Sequence, residues 1–166
     1  MGLDIFFRAK SKNEKLRKEY EEIYAEYRDA LKRYDNEGGF EDKINVLEDK
    51  LDKCYNALHS DIAYFRKVNF LLPYFGYEEN CSNIVIDRCE IEELVNVCKK
   101  VLDAKNTNEA ESVADELLPT EAGFFFGSTD YDEWYFNDVR EVADKFTEIL
   151  DTFDFDENEL VMSCWW

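Results

Sequence analysis

Between residues 123 and 135 the chain reads GFFFGSTDYDEWY, and here the side chains able to do chemistry crowd together. Asp130 and Asp132 form an Asp-x-Asp pair with Glu133 beside it, a spacing that can hold a hard divalent cation through carboxylate oxygens. Two such carboxylates can also share acid and base work when their surroundings draw their pKa values apart. A simpler role competes with both. Acids at a helix start are stabilised by its dipole, with Thr129 as N-cap and Asp130 and Asp132 in the first turn. Tyr131, Trp134 and Tyr135 fall within about one helical turn of one another, and large rings beside acids grip Arg/Lys-rich surfaces through burial and cation–π contact.

Other candidates are scattered. Arg66 precedes Asn69 by three residues, so on a helix the guanidinium and the amide would share one polar pocket. That pair either fixes packing or presents a cation to a ligand carboxylate or phosphate. The five cysteines, Cys54, Cys81, Cys89, Cys98 and Cys164, make no C-x-x-C pair and match no zinc pattern, and His59 is the only histidine. Reduced, mostly buried thiols are expected, and a nucleophilic Cys89 or Cys98 would have only His59 as an imidazole base. Asp154, Asp156 and Asn158 imitate the start of an EF-hand loop, but Glu159 replaces its glycine and Trp165 its bidentate glutamate. No Walker loop, dinucleotide glycine pattern or Ser-His-Asp signature is present. No cofactor is implied, and an enzyme is the less supported class.

The elements that must position these residues follow from periodicity. LDIFFR (3–8) reads as a strand. Ser11 or Asn13 can cap a helix in which Leu16, Tyr20, Ile23, Tyr27, Ala30 and Tyr34 form a heptad seam, broken at Glu37-Gly38-Gly39. Ile44, Leu47, Leu51, Cys54 and Leu58 repeat it, which predicts an antiparallel αα-hairpin over about 11–57. The second seam runs on through Ile62, Phe65, Asn69 and Leu72 to Pro73, and residues 77–83 read as a loop. Ile84–Ile86 suits a strand, Asp87 with Glu90 a capping box, and Asn108 with Glu111 a further cap. Phe124–Phe126 is a buried strand or an extended loop pressed into the core, and three successive rings cannot all be hidden. Tyr135, Val139, Val142, Phe146 and Ile149 mark a last helix. Thr152–Leu160 reads as an acidic loop and Leu160–Trp166 as a final strand. Pairing the N- and C-terminal strands gives one α+β domain over 1–166, dominated by helices.

Charge bounds the partners. The net charge is −19, and residues 106–166 carry only Arg140 and Lys145 against seventeen acids. Such a field repels nucleic acid and anionic lipid and attracts basic partners, so direct nucleic-acid or membrane binding is not expected. The opening segment has too short an apolar run for a signal peptide, and no stretch has the length of a membrane span. A soluble, cytoplasmic protein is expected, and the hairpin seams could pack within one chain or between two as a homodimer.

Four motifs taken together, MGLD at the start, AYFRKVN at Ala63–Asn69, LLPT at Leu117–Thr120 and FFFGSTDYDEWY at Phe124–Tyr135, resemble a family of small proteins carried by bacteriophages and prophages. The resemblance covers most of the chain outside about 11–57. It implies a mobile-element setting, in which small acidic proteins act on host machinery or host defence, and it carries no catalytic role. It also singles out a candidate binding site of Arg66, Asn69, Phe124, Phe125, Phe126, Ser128, Thr129, Asp130, Tyr131, Asp132, Glu133 and Trp134. The leading expectation is a non-enzymatic protein that binds and inhibits a host protein with a basic surface. A small-ligand, nucleotide-like binder with a pocket of Arg66, Asn69 and the 124–134 segment is the alternative, and a metal-dependent hydrolase using Asp130 and Asp132 is the third.

Overall fold

The computed structural model describes residues 2–37, 39–76 and 80–166, apart from the side chains of 35–37. Met1, Gly38 of the expected Gly-Gly turn and residues 77–79 of the expected loop lie outside that set. The order is β1 (Asp4–Ser11), α1 (Glu14–Glu37), α2 (Glu41–Leu58), β2 (His59–Arg66), α3 (Leu71–Phe75), β3 (Cys81–Ile86), α4 (Arg88–Ala104), α5 (Ala110–Leu117), α6 (Glu133–Thr152) and β4 (Asn158–Trp165). The fold is α+β and mainly helical, with one four-stranded antiparallel sheet in the order β2-β1-β4-β3. The N- and C-terminal strands are therefore neighbours at its centre.

Contacts divide the chain into two compact units. One comprises Met1–Arg8, Asp61–Phe155 and Leu160–Trp166, the other Ala9–Ser60 and Asp156–Glu159. In the second unit α1 and α2 pack on each other. Asn13 caps α1, its Oδ1 accepting the N–H groups of Lys15 and Leu16 at 3.1 and 3.2 Å. Of the expected seam, Ala30 on α1 and Leu47, Cys54 and Leu58 on α2 are buried, while Leu16, Tyr20, Ile23, Tyr27, Ile44 and Leu51 are half-buried. Tyr34 at its end stays 40% exposed.

In the first unit β1 turns Ile5 and Phe7 inward on alternate positions, and α4 and α6 pack together with their apolar faces buried. Phe7 meets Phe146 edge-on, with centroids 5.0 Å apart, and Phe146 stacks on Phe65 at 5.8 Å. Asp87 and Glu90 form the expected capping box of α4.

Three local expectations are corrected. The helical seam does not run on to Leu72: α2 stops at Leu58 and His59–Arg66 is a strand beside β1. Phe65 faces inward while Tyr64 and Arg66 face out, so a period of two prevails over a coincidental helical spacing once β1 offers a hydrogen-bonding edge. Asn108 does not cap α5. Its N-cap residue is Glu109, and the hydroxyl that accepts Glu109 N–H at 3.2 Å is that of Thr107. Thr129 does not cap α6. Asp132 does, its Oδ1 accepting from Trp134 N–H at 2.9 Å and Tyr135 N–H at 3.1 Å.

Among the described residues no helix is long and apolar enough to cross a membrane.

Candidate functional site

The 123–135 segment is held in a fixed shape by a few polar contacts, all within the first unit. Asn69 is only 3% exposed, and its amide donates to the carbonyls of Ser128 at 3.0 Å and Phe126 at 3.5 Å. Leu3 N–H reaches Phe125 O at 3.1 Å, and Phe126 N–H closes a turn on Gly123 O at 3.1 Å. Thr120 Oγ1 donates to Thr129 O at 3.0 Å, and Ser128 Oγ accepts Asp130 N–H at 3.1 Å.

Both flanking glycines are required by geometry. A Cβ on Gly123 would lie 2.7 Å from the Phe126 ring, and Gly127 has φ +98°. The ring of Phe126 is thereby pressed inward, where it also meets Trp166 edge-on at 4.9 Å.

The three phenylalanines part company as a result. Phe126 is buried, Phe125 half-buried and Phe124 96% exposed. The triple Phe is thus not mainly core, because the turn that buries the third ring throws the first outward. Trp134, in the first turn of α6, is 78% exposed. Tyr135 is buried and donates to Leu118 O at 2.9 Å, while Tyr131 donates to Asp115 at 2.7 Å. Glu133 is held outward by Lys105 at 2.7 Å.

A cavity of about 220 Å³ opens beside this segment, with Lys67, Asn69, Ser128, Asp130, Asp132, Trp134 and Asp138 in its wall. Arg66 is not part of it. Its guanidinium instead stands 3.9 Å from Asp4. The reason is the strand: Arg66 ends β2 pointing out, and Lys67, at φ 63°, turns the backbone sharply before Asn69 turns in. The structure therefore brings Asn69 to the 126–134 segment and leaves Arg66 aside.

Lys67 and Asp138 are the charged residues of the cavity that sequence reasoning missed. Asp138 had a visible signal, since it follows Trp134 by four on α6 and shares its face. Lys67 had none, because its place depends on the reversal after β2.

Asp138 is half-buried in the cavity wall. Burial pushes its carboxyl up to about 6, and the like charges of Glu141 and Asp132 add to the rise. No ion pair neutralises Asp130, Asp132 or Asp138 among the described residues. A folded-state value above the ordinary carboxylate value means that the fold binds this proton more tightly than the unfolded chain does. Stability contributed by the protonated form is lost as pH rises from about 4 through 6. Asp138→Asn should raise the melting temperature at about pH 7.5 by about 2–4 °C, allowing for partial solvent screening, and leave it unchanged near pH 4. Melting curves of both proteins across that range test it.

Comparison with family models, curated proteins and solved structures yields no match to this chain.

Of the remaining chemical candidates, Cys98 and His59 are taken up by packing, whereas Cys89, expected to be buried, is exposed at the start of α4. Cys98 is fully buried and its thiol is pushed up to about 12 by desolvation. His59 stacks on Tyr55 at 4.2 Å, with Nδ1 3.1 Å from the Tyr55 carbonyl. Among the described residues no group of three or more His, Cys, Asp or Glu side chains is arranged to hold a metal ion.

Proposed function

We propose that this chain is a phage-type accessory protein that binds a basic surface of a host protein and inhibits it, with Phe124, Trp134 and the carboxylates of Asp130, Asp132 and Asp138 as the contact. The observation that carries the reading is the exposure of Phe124 and Trp134, 96% and 78%, on a hydrogen-bonded frame. Exposed rings on a rigid support lose little entropy on binding, so their burial is available as affinity. The three carboxylates beside Trp134 add a complementary site for an arginine or lysine side chain, with the indole face as a cation–π wall. The cavity is the size of one side chain and below the roughly 300–1,000 Å³ of ordinary ligand pockets. Its three acids outnumber Lys67 in the wall and oppose a phosphate, and Arg66 does not face it, so a nucleotide-like ligand is the poorer fit.

The test is capture from host lysate at low and high salt with the wild type and with Phe124→Ala and Trp134→Ala. A partner that is retained at low salt, released at high salt and weakened about tenfold or more by each substitution is expected. A partner that ignores both rings, or the absence of any salt-sensitive partner, would sink the proposal.

A further inference from the structure

Two cysteines outside the candidate site stand opposite each other in the sheet. β3 and β4 run antiparallel with Cys81 paired to Cys164. Facing residues of an antiparallel pair have Cα atoms about 4.5–5.5 Å apart, within the roughly 4.4–6.8 Å that a disulfide spans. The two sulfurs are 2.7 Å apart, and no disulfide joins them. A covalent bond of about 2.05 Å would need only a small further approach and no movement of either strand.

Hydrogen bonds fix the pairing on both sides of the cysteines. Asn83 N–H donates to Ser163 Oγ at 3.1 Å, and Trp166 N–H to Asn80 Oδ1 at 2.9 Å. The ladder is irregular between Cys81 and Ile84, where Asn83 has φ 55°. That kink sits next to Cys81, which keeps partial solvent contact, whereas Cys164 is buried.

We propose that Cys81 and Cys164 are a reversible thiol–disulfide modification site, oxidised by low-molecular-weight disulfides of the glutathione class. The half-exposed Cys81 loses its proton and attacks one sulfur of the oxidant, forming a mixed disulfide and releasing one thiolate, which takes up a proton. Cys164 then loses its proton and attacks the Cys81 sulfur, releasing the second thiolate. Two cysteine thiols and one small disulfide thus become one protein disulfide and two small thiols. Burial and the hydrogen bond with Cys164 push the Cys81 thiol up to about 12, so little thiolate exists at neutral pH. The pair therefore reacts faster as the pH rises from neutral towards alkaline values.

The experiment uses the full chain carrying Cys89→Ser, which removes the exposed competing thiol. It is exposed to oxidised glutathione, blocked with an alkylating agent and mapped by peptide mass without reduction. The expected product joins the Cys81 and Cys164 peptides, melts about 5–15 °C higher than the reduced protein, and reverts with dithiothreitol. Adding Cys81→Ser should abolish both the cross-link and the shift, and Cys164→Ser serves as the second variant if that protein does not fold. Recovery of both cysteines as alkylated thiols after prolonged alkaline exposure overturns the proposal. So does a stable glutathione adduct on Cys81, or a cross-linked protein that melts lower than the reduced one.

Discussion

Replacing Asn69 with leucine should lower stability by about 2 kcal/mol and loosen the 123–130 segment, although the volume of the side chain hardly changes. The amide is buried and serves as the donor for the Ser128 carbonyl at 3.0 Å and, more weakly, the Phe126 carbonyl at 3.5 Å. Leucine removes the donor and leaves both carbonyls without it. Asn69→Asp separates this account from simple loss of packing. The shape is kept, but an acceptor now faces acceptors and a charge is buried, so at neutral pH it should be the more damaging substitution. Urea unfolding gives the energies, and hydrogen exchange at the amides of residues 125–130 reports the loosening. Equal effects of the two variants, with unchanged exchange, would contradict the account. Because this clamp sets the direction of Phe124, Asn69→Leu should also weaken partner capture while leaving every contact residue in place.

Phe146→Ala should cost more, about 3–5 kcal/mol, with a melting temperature lower by about 10 °C or more. Its ring is fully buried, edge-on to Phe7 and stacked on Phe65, so it joins α6 to β1 and β2 within the first unit. Removing it leaves a cavity walled by two other rings that cannot collapse without leaving their own partners. Phe124→Ala is the internal comparison. The same substitution at a ring that is 96% exposed should alter stability by less than about 0.5 kcal/mol. Thermal unfolding of the two variants side by side measures the difference, and similar losses would mean that the Phe124 ring is covered.

Local spacing made much of this legible. The α1 and α2 seams, the Asp87–Glu90 capping box and the C-terminal strand all announce themselves within a few residues, because caps and amphipathic faces are short-range signals. β2 did not, since Ile62, Phe65, Asn69 and Leu72 fit a helical spacing and only the neighbouring β1 strand decides otherwise. The candidate site was half legible for the same reason. Asn69 and the aromatic-acidic run stood out by type. The partner carbonyls of Asn69, 57 and 59 residues away, depend on tertiary structure. The assumed helix also placed Arg66 beside Asn69, where a strand end and the backbone reversal at Lys67 separate their directions. Cys81 and Cys164 lie 83 positions apart and meet only through strand register.

The strand order has a consequence for synthesis. β4, the last of the four strands to be made, lies between β1, the first, and β3. The sheet therefore cannot close on a ribosome until residues 158–165 have cleared the exit tunnel, whereas the α1–α2 pair, built from neighbouring segments, can form much earlier. Until then the inner edges of β1 and β3 wait open, and a nascent chain stalled before residue 158 would offer them to chaperones or to other copies of itself.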